Sequence, residues 1–216
     1  MFEIELKAWV DDSDAVKKRI SALAEFTADF EKEDIYWIPV SRPESPPAAP
    51  LSSVRIRKET LKPQGKEPEH LILVTYKVKE LRSCIEVNDE KEFAVTAPSD
   101  TDAARKASLN AFEGLLYRLG LKAGVSKKKQ GTAWKYAAGI GDGSDCGRDP
   151  IYVELSRVDR LGVFVEVEIL TYSNDSETVN TARDRLMALL KLIGISADKI
   201  ETRYYNDMLA NLPPLE

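Results

Sequence analysis

The chain has 216 residues, of which 43% are hydrophobic and 31% are charged, and its formal net charge is −5. This length can bury a sizeable core, and we predict a single domain over residues 1–216. The negative net charge argues against a nucleic-acid partner, because binding to a phosphate backbone needs clustered Lys and Arg. There is no apolar run of roughly 18 residues and no signal-peptide pattern, so we expect a cytoplasmic protein with no membrane partner.

Strand-like alternation of apolar and polar residues predominates along the chain, in stretches rich in Val, Ile, Tyr and Phe. A period of two residues predicts mostly antiparallel β structure. The predicted strands, in chain order, are 2–10, 29–38, 53–60, 70–79, 84–96, 122–129, 132–138, 151–159 and 163–172.

Three helical patterns interrupt these strands, each with apolar residues three and four positions apart. The first follows a capping segment at residues 11–13, and the other two end at glycines that favour helix termination. Their apolar positions are Val16, Ile20 and Leu23, then Leu109, Phe112, Leu116 and Leu119 before Gly120, then Val179, Ala182, Leu186, Leu189 and Ile193 before Gly194. A further short helix is predicted at 197–209.

Two segments rich in proline or glycine, 39–52 and 137–150, predict loop excursions from the regular elements. The second excursion contains Cys146, and the only other cysteine is Cys84. Two cysteines are too few for a disulfide framework or a four-cysteine zinc site. We therefore expect both to be free thiols.

The charged residues fall on one face of several predicted strands. A strand places residues i, i+2 and i+4 on the same side, so Glu3, Glu5 and Lys7 face away from Ile4 and Leu6. The segments 54–57, 74–79 and 165–169 repeat this split, and the pairs Glu90 with Glu92 and Lys127 with Lys129 each share a face.

This alternation has two structural interpretations. An open antiparallel sheet with one solvated face is the ordinary explanation of polar and apolar alternation. A closed barrel would instead turn the charged faces into a lumen, where acids and bases must neutralise one another or a ligand. Carboxylate pairs are ligands that Mg²⁺ and Mn²⁺ prefer, and converging Arg and Lys bind phosphate oxygens. The barrel interpretation therefore predicts a metal-bound polyphosphate as ligand.

Several segments, in their order along the chain, resemble the motifs of the CYTH superfamily of triphosphate tunnel metalloenzymes. The opening Glu3-Ile4-Glu5-Leu6-Lys7 looks like the E-x-E-x-K signature of this family. Further similar segments are Asp34-Ile35-Tyr36-Trp37, Arg55-Ile56-Arg57, Thr75-Tyr76-Lys77, Glu90-Lys91-Glu92, Val125-Ser126-Lys127-Lys128-Lys129 and Leu161-Gly162-Val163-Phe164-Val165-Glu166-Val167-Glu168. The tail at 195–209 resembles the C-terminal helix of the class IV adenylyl cyclase branch, so that branch is the favoured subgroup.

The resemblance implies an α+β fold, namely a closed antiparallel eight-stranded β-barrel, the triphosphate tunnel, with helices packed outside. It also implies a divalent-metal-dependent enzyme that converts ATP to cyclic AMP and pyrophosphate, as class IV adenylyl cyclases do. One alternative is an inorganic, thiamine or nucleoside triphosphatase that hydrolyses the terminal phosphate. A second alternative is a non-catalytic module that binds polyphosphate. ATP or another triphosphate is the expected partner, and a homodimer is one option for the assembly.

The resemblance also implies roles for individual residues. Glu3, Glu5, Glu166 and Glu168 would hold Mg²⁺ or Mn²⁺, and the implied catalytic residues are Glu3, Glu5 and Lys7. Lys7, Arg55, Arg57, Lys77, Lys127 and Lys129 would bind the triphosphate, and Glu90, Glu92 and Glu154 are additional candidate acids.

Three positions depart from the family pattern. Ser156 stands where the family often has an acid, and Glu154, two residues earlier on the same strand face, is a candidate substitute. Asn88 and Lys129 stand where Arg is common. Lys keeps the charge of Arg but loses its bidentate donor geometry, so these changes leave the exact reaction open.

Overall fold

The computed structural model describes residues 1–40, 53–82, 84–137 and 149–213. These residues form eight strands, four α-helices and one short 3₁₀-helix. In chain order the elements are β1 (Phe2–Trp9), α1 (Ser13–Leu23), β2 (Glu25–Pro39), β3 (Ser53–Pro63), β4 (Glu69–Arg82), β5 (Ile85–Ala94), α2 (Asp102–Arg118), β6 (Leu121–Tyr136), β7 (Ile151–Val158), β8 (Gly162–Thr171), α3 (Ser176–Leu192), the 3₁₀-helix (Ala197–Lys199) and α4 (Tyr205–Ala210).

The eight strands close into one barrel in which every neighbouring pair is antiparallel. Their order around the barrel is β1, β5, β4, β3, β2, β6, β7 and β8, and β8 pairs again with β1. The predicted fold class is therefore confirmed. The alternative of an open sheet with one solvated face is wrong, because the charged faces of the strands meet inside a closed barrel.

Apolar residues on the outer faces of the strands pack beneath the helices. The largest core cluster joins β1, β7 and β8 to α1 and α3, with Ile20 and Leu186 no more than 1% exposed. A second cluster lies under α2, where Leu116 packs with Trp37 and Ile56. Because apolar burial is satisfied outside the barrel, the inner face is left to polar side chains.

The ends of the helices follow their local sequence. The side chains of Asp12, Thr101 and Asp175 accept hydrogen bonds from backbone N–H groups in the first turns of α1, α2 and α3. Gly120 and Gly194 follow α2 and α3 with φ of 81° and 84°, a left-handed conformation that glycine adopts without a steric penalty. The predicted ends at these two glycines are confirmed.

The predicted strands 122–129 and 132–138 form a single strand, β6. Gly131, which lies between the two predicted strands, is required by the close approach of β6 to β7. A Cβ at this position would lie 2.2 Å from the backbone oxygen of Leu155 and 2.7 Å from Cα of Ser156.

The single helix predicted at 197–209 is wrong, because the chain forms a 3₁₀-helix and then α4, with an extended stretch between them. In that stretch the backbone N–H of Glu201 donates to the Lys7 carbonyl at 2.8 Å. An isolated bridge also joins Ile200 to Ala8. Pairing with β1 therefore interrupts the helix.

Two of the predictions fall largely on residues that are not described. The excursions 39–52 and 137–150 lie outside the described residues except at their ends, and so does Cys146. Cys84 is a free, exposed cysteine, as predicted. No helix within the described ranges is both long and apolar enough to cross a membrane.

Candidate active site

The interior of the barrel is a cavity of about 300 Å³ with a mainly charged wall. It contains every site residue that the sequence predicted, from Glu3 on β1 to Glu168 on β8. The charged lining residues are Glu3, Glu5, Lys7, Lys32, Arg55, Arg57, Glu59, Lys77, Glu86, Glu90, Glu92, Lys127, Lys129, Glu154, Glu166 and Glu168. Their common location follows from the two-residue period of the strands, which turns every second side chain inward.

Three carboxylates form an acid trio, consisting of Glu3, Glu5 and Glu168. Glu5 lies directly opposite Glu168 in the β1–β8 pair, and one carboxylate oxygen from each member lies within 4.8 Å of the others. Burial, with added repulsion from neighbouring carboxylates, raises the pKa of all three groups, and that of Glu5 reaches about 8.

The acid trio fits a divalent cation. Its three members supply hard oxygen donors, the kind of ligand that Mg²⁺ and Mn²⁺ prefer. Crowded buried carboxylates also repel one another, and a dication among them would remove that repulsion. A metal at this position would therefore favour the charged form of all three groups.

Lys77 on β4 lies beside the acid trio. Its Nζ is 2.8 Å from Glu3, 4.0 Å from Glu5 and 2.8 Å from Glu90. Burial lowers the pKa of Lys77, but the Glu3 and Glu90 carboxylates raise it well above its ordinary value. Burial likewise opposes ionisation of Glu90, yet Lys77 and Arg55 lower its pKa to about 2. Both groups are therefore charged at neutral pH.

A cluster of three cations surrounds Asp34, which is completely buried. Arg57 donates to both of its carboxylate oxygens, at 2.7 and 3.0 Å, while Lys127 lies at 3.0 Å and Arg55 at 4.0 Å. Burial would raise the pKa of Asp34, but Arg57 and Lys127 hold it well below its ordinary value. One carboxylate thus holds together three residues that the resemblance assigns to phosphate binding.

Glu166 does not join the acid trio, although the sequence predicted it as a metal ligand. Its carboxylate accepts a 2.7 Å hydrogen bond from Lys129, which also donates to Glu154 at 2.7 Å. Glu154 in turn is bonded to Lys32 at 2.5 Å, and Lys32 lies 3.2 Å from Glu59. Glu154, the candidate substitute for the missing acid, is therefore held in a separate ion-pair network.

Ser156, two residues after Glu154 on β7, is only 1% exposed. Its hydroxyl has no hydrogen-bond partner among the described residues. It pairs across the barrel wall with Gly131 on one side and with Phe164 on the other. An acid at this position would meet apolar surroundings, which is consistent with serine here.

The structure adds charged residues that sequence reasoning missed. The predicted site set omitted the buried Asp34, although its motif was recognised, and the lining residues Lys32, Glu59 and Glu86. Glu86 lies 3.2 Å from Lys7 and also accepts from Asn88 at 3.4 Å. Glu59 and Glu86 share the inward faces of β3 and β5 with predicted residues, so the alternation could have identified these two. Lys32 and Asp34 lie on β2, which contributes no residue to the predicted set.

Tyr205 in α4 was also missing from the predicted site residues. It lines the cavity, and its ring lies under the ammonium groups of Lys7 and Lys127, 4.6 and 4.8 Å from the ring centroid. Burial, and then the Glu166 and Glu5 carboxylates, raise the pKa of its hydroxyl well above the ordinary value. No periodic signal in the sequence links α4 to the lumen.

A protein-family model, described as the CYTH domain, matches residues 1–205. The chain belongs to this family. No curated protein matches the chain. The CYTH assignment rests on a match over nearly the whole sequence, and the acid trio and the cation cluster both lie within it.

Solved structures share the CYTH barrel at low sequence identity. The PH1819 protein of Pyrococcus horikoshii is 24% identical, with a TM-score of 0.69 and coverage of 96% of this chain and 98% of that one. A Vibrio parahaemolyticus protein described as a candidate adenylate cyclase is 17% identical, with a TM-score of 0.66 and coverage of 97% and 98%. A Hippeastrum protein, described as a candidate adenylyl cyclase with a dominant triphosphatase activity, is 15% identical, with a TM-score of 0.59 and coverage of 100% and 98%. At these identities the likeness concerns the fold.

Proposed function

We propose that this CYTH protein is a divalent-metal-dependent enzyme that acts on a triphosphate inside the barrel. The observation that carries the proposal is the meeting of an acid trio and a cation cluster in one buried cavity. A metal–triphosphate complex carries both kinds of charge, so it can satisfy carboxylates and cations together. A ligand that carried only negative charge would leave the acid trio without a counter-ion, and one that carried only positive charge would leave the lumen cations without one.

Glu3, Glu5 and Glu168 would hold the metal, which would be Mg²⁺ or Mn²⁺. Bound there, the metal supplies charge neutralisation and orientation of phosphate oxygens. Glu166 is a further predicted ligand, and it would have to leave its 2.7 Å contact with Lys129 to reach the metal. That exchange would leave Lys129 bonded to Glu154 and make one of its ammonium donors available to a phosphate oxygen.

The cations of the lumen would bind the triphosphate. Arg55 and Arg57 can each donate to two oxygens, whereas the lysines act as point charges. The full proposed set is Lys7, Arg55, Arg57, Lys77, Lys127 and Lys129. Phosphoryl transfer depends mainly on positioning and charge neutralisation, so the proposed reaction requires no nucleophilic side chain.

The reaction favoured by the resemblance of the C-terminal tail is cyclisation of ATP. The 3′-hydroxyl oxygen would form a bond to the α-phosphorus, the bond from that phosphorus to the bridging oxygen would break, and pyrophosphate would leave. Glu3, Glu5 and Lys7 are the proposed catalytic residues, because they lie on one strand and line the cavity in which the phosphates would bind. The hydroxyl proton would pass to solvent or to a carboxylate of the lumen.

Hydrolysis of a terminal phosphate is the second candidate. It is supported by the charged character of the lining, which recognises phosphates irrespective of the group attached to them. The triphosphatase activity named for the Hippeastrum protein, which shares the fold, points the same way. In this reaction a water oxygen would bond to the terminal phosphorus, and the bond from that phosphorus to the bridging oxygen would break. Phosphate and the shortened polyphosphate would be released, and the water proton would pass to solvent or to a carboxylate of the lumen.

One assay separates these reactions. Purified protein is incubated with Mg²⁺ or Mn²⁺ and with ATP, 3′-deoxy-ATP, tripolyphosphate or thiamine triphosphate, and cyclic AMP, pyrophosphate and phosphate are measured. A cyclase makes cyclic AMP from ATP and nothing from 3′-deoxy-ATP, which lacks the attacking hydroxyl. A triphosphatase releases phosphate from its substrate and tolerates the missing hydroxyl. No product from any of the four compounds would contradict the proposal.

Two variants test whether the turnover belongs to this site. We expect Glu5→Gln to lower kcat at least about 100-fold, because it removes one metal ligand and leaves the side-chain shape unchanged. Glu31→Gln is the matched control on the outer face of β2, where Glu31 is half exposed and paired with Lys62. Binding of tripolyphosphate without turnover in the wild type would favour the non-catalytic module.

A further inference from the structure

Tyr205 contacts two of the proposed phosphate-binding lysines at once. It is 6% exposed, and its ring centroid lies 4.6 Å from Nζ of Lys7 on β1 and 4.8 Å from Nζ of Lys127 on β6. These strands are not neighbours in the barrel, so no direct strand pairing links the two lysines. We propose that Tyr205 is a positioning residue of the triphosphate site, whose ring holds Lys7 and Lys127 in place for the phosphates.

The ring itself is held by aromatic packing. Tyr205 meets Phe164 edge to face, with centroids 5.1 Å apart and planes at 87°. Phe164 packs against Trp9 in a tilted arrangement, with centroids 4.2 Å apart. Val158 and Met208 complete this cluster, and each is nearly fully buried. A side chain fixed in this way loses little conformational freedom when it orients the lysines.

The start of the C-terminal segment is also tied to β1, next to Lys7. The Glu201 N–H donates to the Lys7 carbonyl at 2.8 Å, and the Glu201 carboxylate accepts from Trp9 Nε1 at 3.0 Å. Arg203 donates to the same carboxylate. The backbone that presents one lysine is therefore bonded to the segment that presents the ring.

An aromatic ring suits this role because it attracts a cation without neutralising it. Lys7 and Lys127 each also have a carboxylate partner, Glu86 at 3.2 Å and Asp34 at 3.0 Å. A bound triphosphate would compete with those carboxylates for the ammonium protons. It would not compete with the ring face, which needs no proton. The ring can therefore keep both lysines in position while phosphate oxygens replace or share their acidic partners.

The test, which rests on the proposed function, compares three variants by their kinetics with the triphosphate that the wild type turns over. Tyr205→Leu removes the ring, and we expect KM to rise about tenfold or more, with a smaller change in kcat, because two cation–π contacts are lost. Tyr205→Phe keeps the ring and should retain KM within about twofold. Its lost hydroxyl interacts with the Glu166 carboxylate, whereas neither lysine contact with the ring depends on that hydroxyl.

Met208→Ala is the matched control, because Met208 packs in the same cluster and has no ring to offer the lysines. It should lower the melting temperature and raise KM much less than Tyr205→Leu does. If Tyr205→Leu does not fold, Tyr205→Met, whose longer and more flexible side chain adapts better to the space of the ring, replaces it. An unchanged KM in the ring-less variant would overturn the proposal, and so would an equal rise in Tyr205→Phe or in Met208→Ala. Absence of wild-type turnover would instead count against the proposed function.

Discussion

The Glu5 carboxylate lies with two others in a buried space, and burial, followed by the neighbouring Glu86 carboxylate, raises its pKa to about 8 from an ordinary value of 4.5. The folded protein therefore holds this proton more tightly than the unfolded chain does. Stability is lost as the pH rises from about 4.5 through 8, because the charged form is disfavoured only in the folded state. Glu5, a candidate metal ligand, therefore lowers the stability of the metal-free protein at higher pH.

We expect Glu5→Gln to stabilise the metal-free protein above pH 8, by about 1–3 kcal/mol, since the amide mimics the protonated acid. Urea denaturation with a chelator at about pH 5 and pH 8.5 measures the effect, which should be smaller at the lower pH. Glu31→Gln, on the outer surface, should show no such pH dependence. A Glu5→Gln protein less stable than the wild type at pH 8.5 would contradict this account.

Asp34 stabilises the fold in its charged form, whereas charged Glu5 destabilises it. Three cations surround Asp34, and its side chain is completely buried. Asp34→Asn leaves Arg57, Lys127 and Arg55 without their shared counter-ion, and we expect a loss of about 3–5 kcal/mol in the free energy of unfolding at pH 7. The pKa of Asp34 lies well below 3.8 in the folded state. Its stabilisation is therefore present above about pH 4 and is lost as the pH falls further.

Urea denaturation at pH 7 and at about pH 3 measures this difference, which should shrink at the lower pH. The comparison variant is again Glu31→Gln, which breaks an ion pair whose side chains are 48% and 56% exposed. Exposed pairs contribute at most about 1 kcal/mol, so this variant should remain close to the wild type. Equal losses in both variants would show that burial does not control the effect.

At the scale of single residues, the alternation of the sequence predicts which side chains enter the lumen but not which of them meet. Glu166 and Glu168 are two residues apart on one face, yet one is bonded to Lys129 and the other belongs to the acid trio. The difference arises from the register and tilt of strands far apart in the sequence, which a local pattern does not encode.

Among the elements, α3 depends on one side chain for its start. Asp175 accepts hydrogen bonds from the N–H groups of Glu177 and Thr178 and from the Thr178 hydroxyl. We expect Asp175→Ala to cost about 1–2 kcal/mol in chemical denaturation at pH 7, with kcat unchanged. Asp184→Ala, at an exposed position within the same helix, is the control and should cost less than about 0.5 kcal/mol. Similar losses in the two variants would contradict the capping role.

Element boundaries were predictable where a local signal sets them. Gly120 and Gly194 end α2 and α3 because each adopts a positive φ after the last turn. The predicted boundaries were wrong where a contact with a residue distant in the sequence sets the boundary. At Gly131 the strand β6 continues because it packs closely against β7. At Glu201 the helix is interrupted because the backbone bonds to β1. Neither contact can be predicted from the sequence pattern around the residue.

For the whole molecule, ligand binding should be visible as stability. If Mn²⁺ and tripolyphosphate bind only the folded barrel, ligand at 100 times its Kd adds about 2.7 kcal/mol, or roughly 5–10 °C in melting temperature for a chain of this size. A chelator should reverse the metal-dependent part, and Glu168→Gln should remove most of it. Melting curves unaffected by metal, triphosphate and both together would contradict the proposed ligand.

The closed barrel could be predicted from the family motifs, whereas composition and alternation alone fit an open sheet equally well. The closing contact is the pairing of β1 with β8, whose partners Glu5 and Glu168 are separated by most of the chain. Closure also creates the candidate site, because it brings the charged faces of eight amphipathic strands together in one interior.

If a metal and a polyanion bind in this interior, they would enter by ion exchange. A carboxylate that turned to the metal would give up one of its cation contacts, and a cation that turned to a phosphate would give up one of its carboxylate contacts, as in the pairs Lys129–Glu166 and Lys77–Glu3. Charges would then be exchanged in matched steps of opposite sign. We expect metal and polyanion each to bind weakly alone and strongly together, and we expect a monophosphate, which brings less charge, to be poorly retained.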